Sequence, residues 1–174
     1  MKSLSYNHED DRCYGAVGMA IGMVIFDGEE YLDSVNIDAE TDELVSLSSS
    51  FYFAGSPSFS AKAVWTRMLN NFNLMTAMVI SNALCRTIVH EKMPVRYEIK
   101  QQLHDIIAAE AFETCSLEKD ELERLFDKNY NYLFHVFNHH AVQDIAHSMA
   151  QQLKQTRSMS RFDVLENLKS LSMI

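Results

Sequence analysis

The fold is decided by residues 59–93, which read FSAKAVWTRMLNNFNLMTAMVISNALCRTIVHEKM. Ser58 or Ser60 is a candidate N-cap, because a serine hydroxyl accepts hydrogen bonds from the free N–H groups of a first helical turn. Pro94 follows the stretch and disfavours helical geometry at Met93. We therefore expect one central helix of roughly 30 residues, about 45 Å long, which is the width of a small domain.

The two halves of this helix differ in the placement of their apolar residues. In the first half they share one face, as in a helix docked on a core. From Leu74 to Val89 they surround the helix, so this half is either buried on every side or crosses a membrane. Five polar residues interrupt a run that is already short for a membrane span: Thr76, Ser81, Asn82, Arg86 and Thr87. We expect the later helices to surround residues 74–89, with no membrane contact.

The segment before the central helix permits two interpretations. Glycines spaced three and four residues apart favour a close-packed helix over residues 15–26. Alternatively, residues 20–26 form a strand that leads into a turn at Asp27-Gly28. Alternating patterns over residues 31–38 and 43–53 are typical of half-buried strands. Both interpretations of residues 15–26 stay open, and we expect a small antiparallel segment of two or three strands, preceded by loosely ordered residues 1–14.

After the central helix the pattern indicates further helices. Pro94 suits the first position of one that ends near Cys115, and the next is expected to start at Ser116 and to break near 129–131 or 138–140. Ser160 and Asp163 have the spacing of a capping box that opens a last helix. The fold class is mainly α, with about five helices around the central one. We expect a single domain over 1–174, with an acidic, strand-containing segment at 1–58 and a helical bundle at 59–174.

Charge and cysteine content limit the classes of function. Residues 1–60 contain eleven acidic and two basic side chains, which account for the whole net charge of −9, while residues 61–174 contain thirteen of each. Such a balance repels nucleic acid and anionic membranes, so neither is expected as a partner. Three widely spaced cysteines without a CxxC pair, and a polar N-terminal stretch, predict reduced thiols in a cytoplasmic protein.

A histidine-rich stretch, HVFNHHAVQDIAH at residues 135–147, is the candidate metal site. Imidazoles one helical turn apart chelate divalent transition metals, and a carboxylate adds an oxygen ligand. The candidate ligands are His140, Asp144, His147, His135 and His139. On a helical wheel His140, Asp144 and His147 lie to one side of the core face, so the competing interpretation is a solvated or subunit-contact surface.

A second candidate constellation is a buried ion pair. Arg86 lies within the most apolar part of the central helix, where an unpaired charge is costly. Glu110 falls on the apolar stripe of the next helix and is the first candidate for its partner. The hypothesis is a buried Arg86–Glu110 pair that fixes helix register.

Two functions from different classes follow from these patterns. The first is a non-catalytic protein that works by self-association, with a dimer favoured, or by binding another protein. Its basis is a set of apolar residues off the expected core faces: Tyr130, Tyr132, Val136, Val142, Phe162, Val164, Met173 and Ile174. The alternative is a metal-dependent enzyme that uses the histidine cluster with Glu110 or Glu113. No phosphate-binding, nucleophile-elbow or calcium-loop pattern is present in the sequence.

Overall fold

The computed structural model describes residues 5–41, 43–52, 60–169 and 171. Seven α-helices and three short strands are found in that part of the chain. The elements are α1 (Glu9–Ile25), β1 (Leu32–Asn36), β2 (Val45–Leu47), α2 (Ser49–Tyr52), α3 (Ala61–Leu84), α4 (Tyr97–Thr114), α5 (Lys119–Phe137), α6 (His140–Thr156), β3 (Ser158–Ser160) and α7 (Arg161–Leu168). The fold is mainly α with a small antiparallel sheet, which confirms the predicted class.

The central helix α3 continues as a π-helical segment at Cys85–His90. Ser60 is its N-cap and accepts from the Ala63 amide, as one of the two sequence alternatives predicted. Thirteen of the sixteen residues from Leu74 to Val89 are buried. Ala61–His90 is long and apolar enough to cross a membrane, but 78% of its most apolar 18-residue stretch is buried inside the protein. Packing against other helices therefore accounts for its apolar character.

Residues 15–25 belong to α1, so the helical alternative is confirmed and the strand over residues 20–26 is wrong. Loose ordering is wrong for residues 9–14, which begin the same helix, whereas residues 1–4 lie outside the described residues. The helix begins at Glu9, where the His8 side chain accepts from the Asp11 amide. It lies directly against α3, and a Cβ added at Gly18 would stand 2.4 Å from the Ser81 carbonyl oxygen. Glycine is needed here because any side chain would separate the two backbones.

The sheet joins both ends of the chain. Its strand order is β2-β1-β3, and both pairs are antiparallel. Val35 in β1 stands opposite Val45 in β2 and Met159 in β3. The strand predicted over 31–38 is confirmed, whereas the one over 43–53 is limited to β2 and is followed by the short α2.

The later helices have bounds that differ in detail from the sequence prediction. Pro94 precedes α4 without belonging to it, because α4 begins at Tyr97. Glu118 replaces Ser116 as the N-cap of α5, and it forms a capping box with Glu121. The break after α5 falls at residues 138–139, the second of the two predicted places. The capping box of Ser160 and Asp163 at the start of α7 is confirmed.

Candidate functional site

The largest cleft in the described part of the chain lies where the central helix ends, between its last turn and α6. We call it the α6 cleft; its volume is about 890 Å³. Its apolar lining consists of Ile88, Val89, Met93, Pro94, Val95 and Phe134. Its polar lining consists of Asn138, Gln143, Asp144, His147, Ser148 and Gln151, with Lys92 in addition. A concave surface of this size with an apolar wall and several polar groups is typical of small-molecule sites.

The backbone at this cleft departs from regular geometry in two consecutive places. The last six residues of the central helix, Cys85–His90, are π-helical, and the Glu91 amide donates to the Arg86 carbonyl five residues back. Lys92 then has a φ of 53°, in the left-handed region that few non-glycine residues adopt. Single π turns and strained residues concentrate at functional sites. Both features turn the chain so that Met93–Val95 forms one wall of the cleft.

Next to the cleft, Tyr14 of α1 contacts two histidines, His90 of the π-helical segment and His147 of α6. The His90 ring stacks on the Tyr14 ring with centroids 4.6 Å apart, and the Tyr14 hydroxyl is hydrogen-bonded to His147 Nδ1. His8 meets His90, not Tyr14, in an edge-to-face arrangement with centroids 5.5 Å apart. Burial raises the pKa of the Tyr14 phenol above its ordinary value. The π-helical segment positions His90 for this stack, and α6 positions His147.

Hydrogen bonds hold both ring nitrogens of His147. Gln151 Nε2 lies 2.8 Å from His147 Nε2, and His147 Nδ1 is hydrogen-bonded to the Tyr14 hydroxyl. Both nitrogens of this exposed ring are thus used within the protein.

The structure does not gather the five predicted metal ligands into one group. His135 lies on α5, whereas His139 and His140 are at the N-terminus of α6, and all five candidate ligands are exposed. Among the described residues no group of three or more His, Cys, Asp or Glu side chains is arranged to hold a metal ion. Only Asp144 and His147 share a cavity, the α6 cleft, and His147 is occupied by Tyr14 and Gln151. These residue types can bind a metal, but the five candidates are divided between α5 and α6.

The carboxylate partner of Arg86 is Asp11, and the predicted pairing with Glu110 is wrong. Arg86 Nε and Nη2 donate to the two Asp11 oxygens at 2.5 and 2.6 Å, and Asp11 is only 2% exposed. Burial opposes the charged form of Asp11, but hydrogen bonds from Arg86 and the Asn7 amide outweigh it and hold the pKa below its ordinary value. Glu110 is half-buried beside Thr76 and Ile107, and no ion pair of its carboxylate occurs within the described ranges.

A second candidate surface lies on the outside of α4. We call it the α4 face; it consists of Tyr97, Gln101, Asp105, Ala108 and Phe112. These residues recur every three or four positions and therefore share one side of the helix. Tyr97 is 74% exposed and Phe112 is 81% exposed, whereas Leu103 and Ile107 on the opposite side are buried against the core. Two large aromatic rings thus stand in solvent at the two ends of one helix.

The apolar residues that the sequence placed off the core faces are only partly exposed in the structure. Tyr130, Val142 and Val164 belong to the core, and Val136 is half-buried. Tyr132 and Phe162 are 53% and 73% exposed. The remaining two members, Met173 and Ile174, lie outside the described residues.

Sequence reasoning missed Tyr14, Lys92 and the α4 face. The acidic run Glu9–Asp11 after His8 is an N-terminal helix signal that would have placed Tyr14 on a helix. The π turn that brings His90 to Tyr14 has no comparable local pattern. No family model, no curated protein and no solved structure matches this chain.

Proposed function

We propose that this protein is a non-catalytic cytoplasmic protein that acts by self-association, and that two copies pair through their α4 faces. The observation that supports the proposal most strongly is the exposure of Tyr97 and Phe112 on one helix. An aromatic side chain loses favourable transfer free energy for every Å² left in water. Exposed aromatic groups are also enriched in protein interfaces relative to other surfaces.

The spacing of the α4 face is self-complementary. In this dimer two α4 helices pack antiparallel about a two-fold axis that lies between His104 and Asp105. Tyr97 of one copy then meets Phe112 of the other. Tyr97 and Phe112 of the same copy are about 22 Å apart along the helix, so the contact occurs once at each end. The same axis places Gln101 opposite the partner's Ala108, whose small side chain permits close approach. A two-fold axis repeats each contact, so both aromatic rings of both copies are covered.

The net charge of the chain belongs to a segment other than α4. The net charge of −9 resides in residues 1–60, whereas residues 61–174, which include α4, contain equal numbers of acids and bases. Asp105 is the only charged member of the α4 face. The two-fold axis brings it next to the partner's Asp105, and this like-charge contact lowers the affinity. A single pair of helices buries little area, so we expect a weak dimer with a Kd on the order of micromolar.

Substituting one exposed aromatic residue tests the proposal. Phe112→Glu places a charge in the contact and is expected to weaken the dimer at least about tenfold, because an unpaired charge is costly in an interface. Phe162→Glu is the matched control, since Phe162 is similarly exposed but lies on α7. Sedimentation velocity over a range of concentrations measures both variants. A parent protein that stays monomeric throughout, or equal loss in both variants, overturns the proposal.

Disulfide cross-linking tests the antiparallel register. A chain with both Gln101→Cys and Ala108→Cys is expected to cross-link between copies, because each cysteine faces the other type. Either single variant is not, because identical positions are offset by seven residues, about 10 Å, which exceeds disulfide reach. The natural cysteines Cys13, Cys85 and Cys115 are all buried and give a low background. Cross-linking by the single variants alone would contradict this register.

A further inference from the structure

We propose that the α6 cleft binds an amphipathic organic cation, a small molecule with an amine or ammonium head and an apolar body. This site is separate from the α4 face, and it does not depend on self-association. Four observations support it: the amide groups of the cleft, the carboxylate of Asp144, the apolar wall, and the irregular backbone that builds that wall.

The polar side of the cleft presents three amide oxygens as acceptors, while each of the three amide nitrogens uses one of its two N–H groups within the protein. Asn138 Nδ2 donates to the Phe134 carbonyl at 2.7 Å, and Gln143 Nε2 donates to the Phe137 carbonyl at 2.9 Å. Gln151 Nε2 donates to His147. The carbonyl oxygen of each of the three amides has no partner within the described residues. A ligand with several N–H donors complements these oxygens.

Asp144 supplies the charge at this site. Its carboxylate is exposed on the α6 side of the cleft and makes no ion pair within the described part of the chain. Both ring nitrogens of His147 are hydrogen-bonded within the protein, and Lys92 is the only basic side chain in the lining apart from histidine. Lys92 is exposed on a long flexible stem that can keep its ammonium group in water. The acidic protein as a whole also attracts cations more than anions.

The opposite wall accounts for the apolar part of the ligand. Ile88, Met93, Val95 and Phe134 line it, and Met93 is 45% exposed. A methionine adapts its shape to different ligands, and Phe134 adds aromatic surface to this wall. The volume of about 890 Å³ is in the range of small-molecule sites.

Calorimetric titration with two molecules of equal length and opposite charge tests the proposal. We expect n-octylamine, which is cationic at neutral pH, to bind at least about tenfold more tightly than n-octanoate. Octyltrimethylammonium has the charge without N–H donors, and it is expected to bind more weakly than octylamine because it cannot satisfy the amide oxygens. Tighter binding of octanoate, or no binding of octylamine, overturns the proposal.

Two substitutions locate the site. Asp144→Asn is expected to weaken octylamine binding about fivefold, the effect of losing one exposed charge partner. Asp33→Asn is the matched control, because Asp33 is an exposed carboxylate on β1 outside the cleft, and we expect it to leave binding unchanged. Lys92→Gln is expected to strengthen binding by removing a like charge. Equal effects of the two aspartate substitutions, or weaker binding in Lys92→Gln, would contradict the assignment.

Discussion

Arg86 shows most clearly which property of a residue the sequence predicts and which one requires the structure. Its position in an apolar helix correctly indicated a buried partner, because a guanidinium in a dry interior is stable only when it is paired. The partner, however, is 75 residues earlier in the chain, at Asp11. Tyr6 adds to the site, since the Arg86 guanidinium lies 4.8 Å from the centre of its ring.

Asp11→Asn is expected to lower the free energy of unfolding by about 3 kcal/mol near neutral pH, because it leaves Arg86 without its counter-charge. Glu110→Gln is the control and is expected to change stability by less than about 0.5 kcal/mol. Chemical denaturation of the three proteins measures both values. A larger effect at Glu110 than at Asp11 would restore the original pairing hypothesis.

The pH dependence of this effect has a definite sign. The folded-state pKa of Asp11 lies below its ordinary value of 3.8. The stabilisation is therefore fully present above about pH 5 and is lost as the pH falls through the lowered folded-state pKa. We expect the stability difference between the parent and Asp11→Asn to shrink steadily as the pH is lowered through this range. A difference that is constant from pH 7 to pH 2 would contradict an ionised Asp11.

At the scale of elements, the contact between α1 and α3 organises the molecule. The glycines of α1 face α3, and the closest approach to α3 backbone is at Gly18, where an added Cβ would also stand 2.6 Å from Cys85 Cβ. This contact orders the N-terminal segment and brings Asp11 to Arg86 and Tyr14 to His90. The sequence contained the signal, since glycines at three-to-four spacing favour close helix packing, but the Asp-Gly turn favoured a strand equally well.

Gly18→Ala is expected to destabilise the protein by about 3 kcal/mol, because the new methyl group meets the Ser81 backbone, which cannot move aside. Gly15→Ala is the comparison: its added methyl meets side-chain atoms of Tyr6 and Asn82 and no α3 backbone atom, and side chains shift at lower cost than backbone. Alanine also favours a helix over glycine by about 1 kcal/mol. Thermal unfolding should therefore place Gly15→Ala well above Gly18→Ala, and the reverse order would contradict this packing.

For the whole molecule, the small sheet closes the fold. β3 follows α6 near the end of the chain and pairs with β1 near its beginning. Arg157 strengthens this closure, because it donates to Glu9 at 2.6 Å and to Asp38 at 3.2 Å. Beyond it, Met159, Val164 and Leu168 are each no more than 2% exposed.

A chain that ends at Thr156 is expected to lose cooperative unfolding. Removal of the three buried side chains Met159, Val164 and Leu168 loses about 2 kcal/mol each. That total approaches the whole stability of many domains. It also leaves β1 as an open edge that is prone to aggregation. Phe162→Ala, in the same segment but 73% exposed, is the control and should unfold almost as the parent does. A truncated chain with the parent Tm by circular dichroism would contradict this role for the C-terminal segment.

The sequence by itself determined the helical class, the central helix, its burial and the strand at residues 31–38. These features depend on the periodicity of neighbouring residues, and burial of an apolar helix needs no knowledge of what covers it. It also determined that Arg86 needs a carboxylate. Only the tertiary structure decided that α1 is a helix, that Asp11 is that carboxylate, that β3 completes the sheet and that the predicted metal ligands are not gathered into one group. Each of these depends on contacts between residues far apart in the chain, where local preferences are nearly balanced and packing selects one outcome.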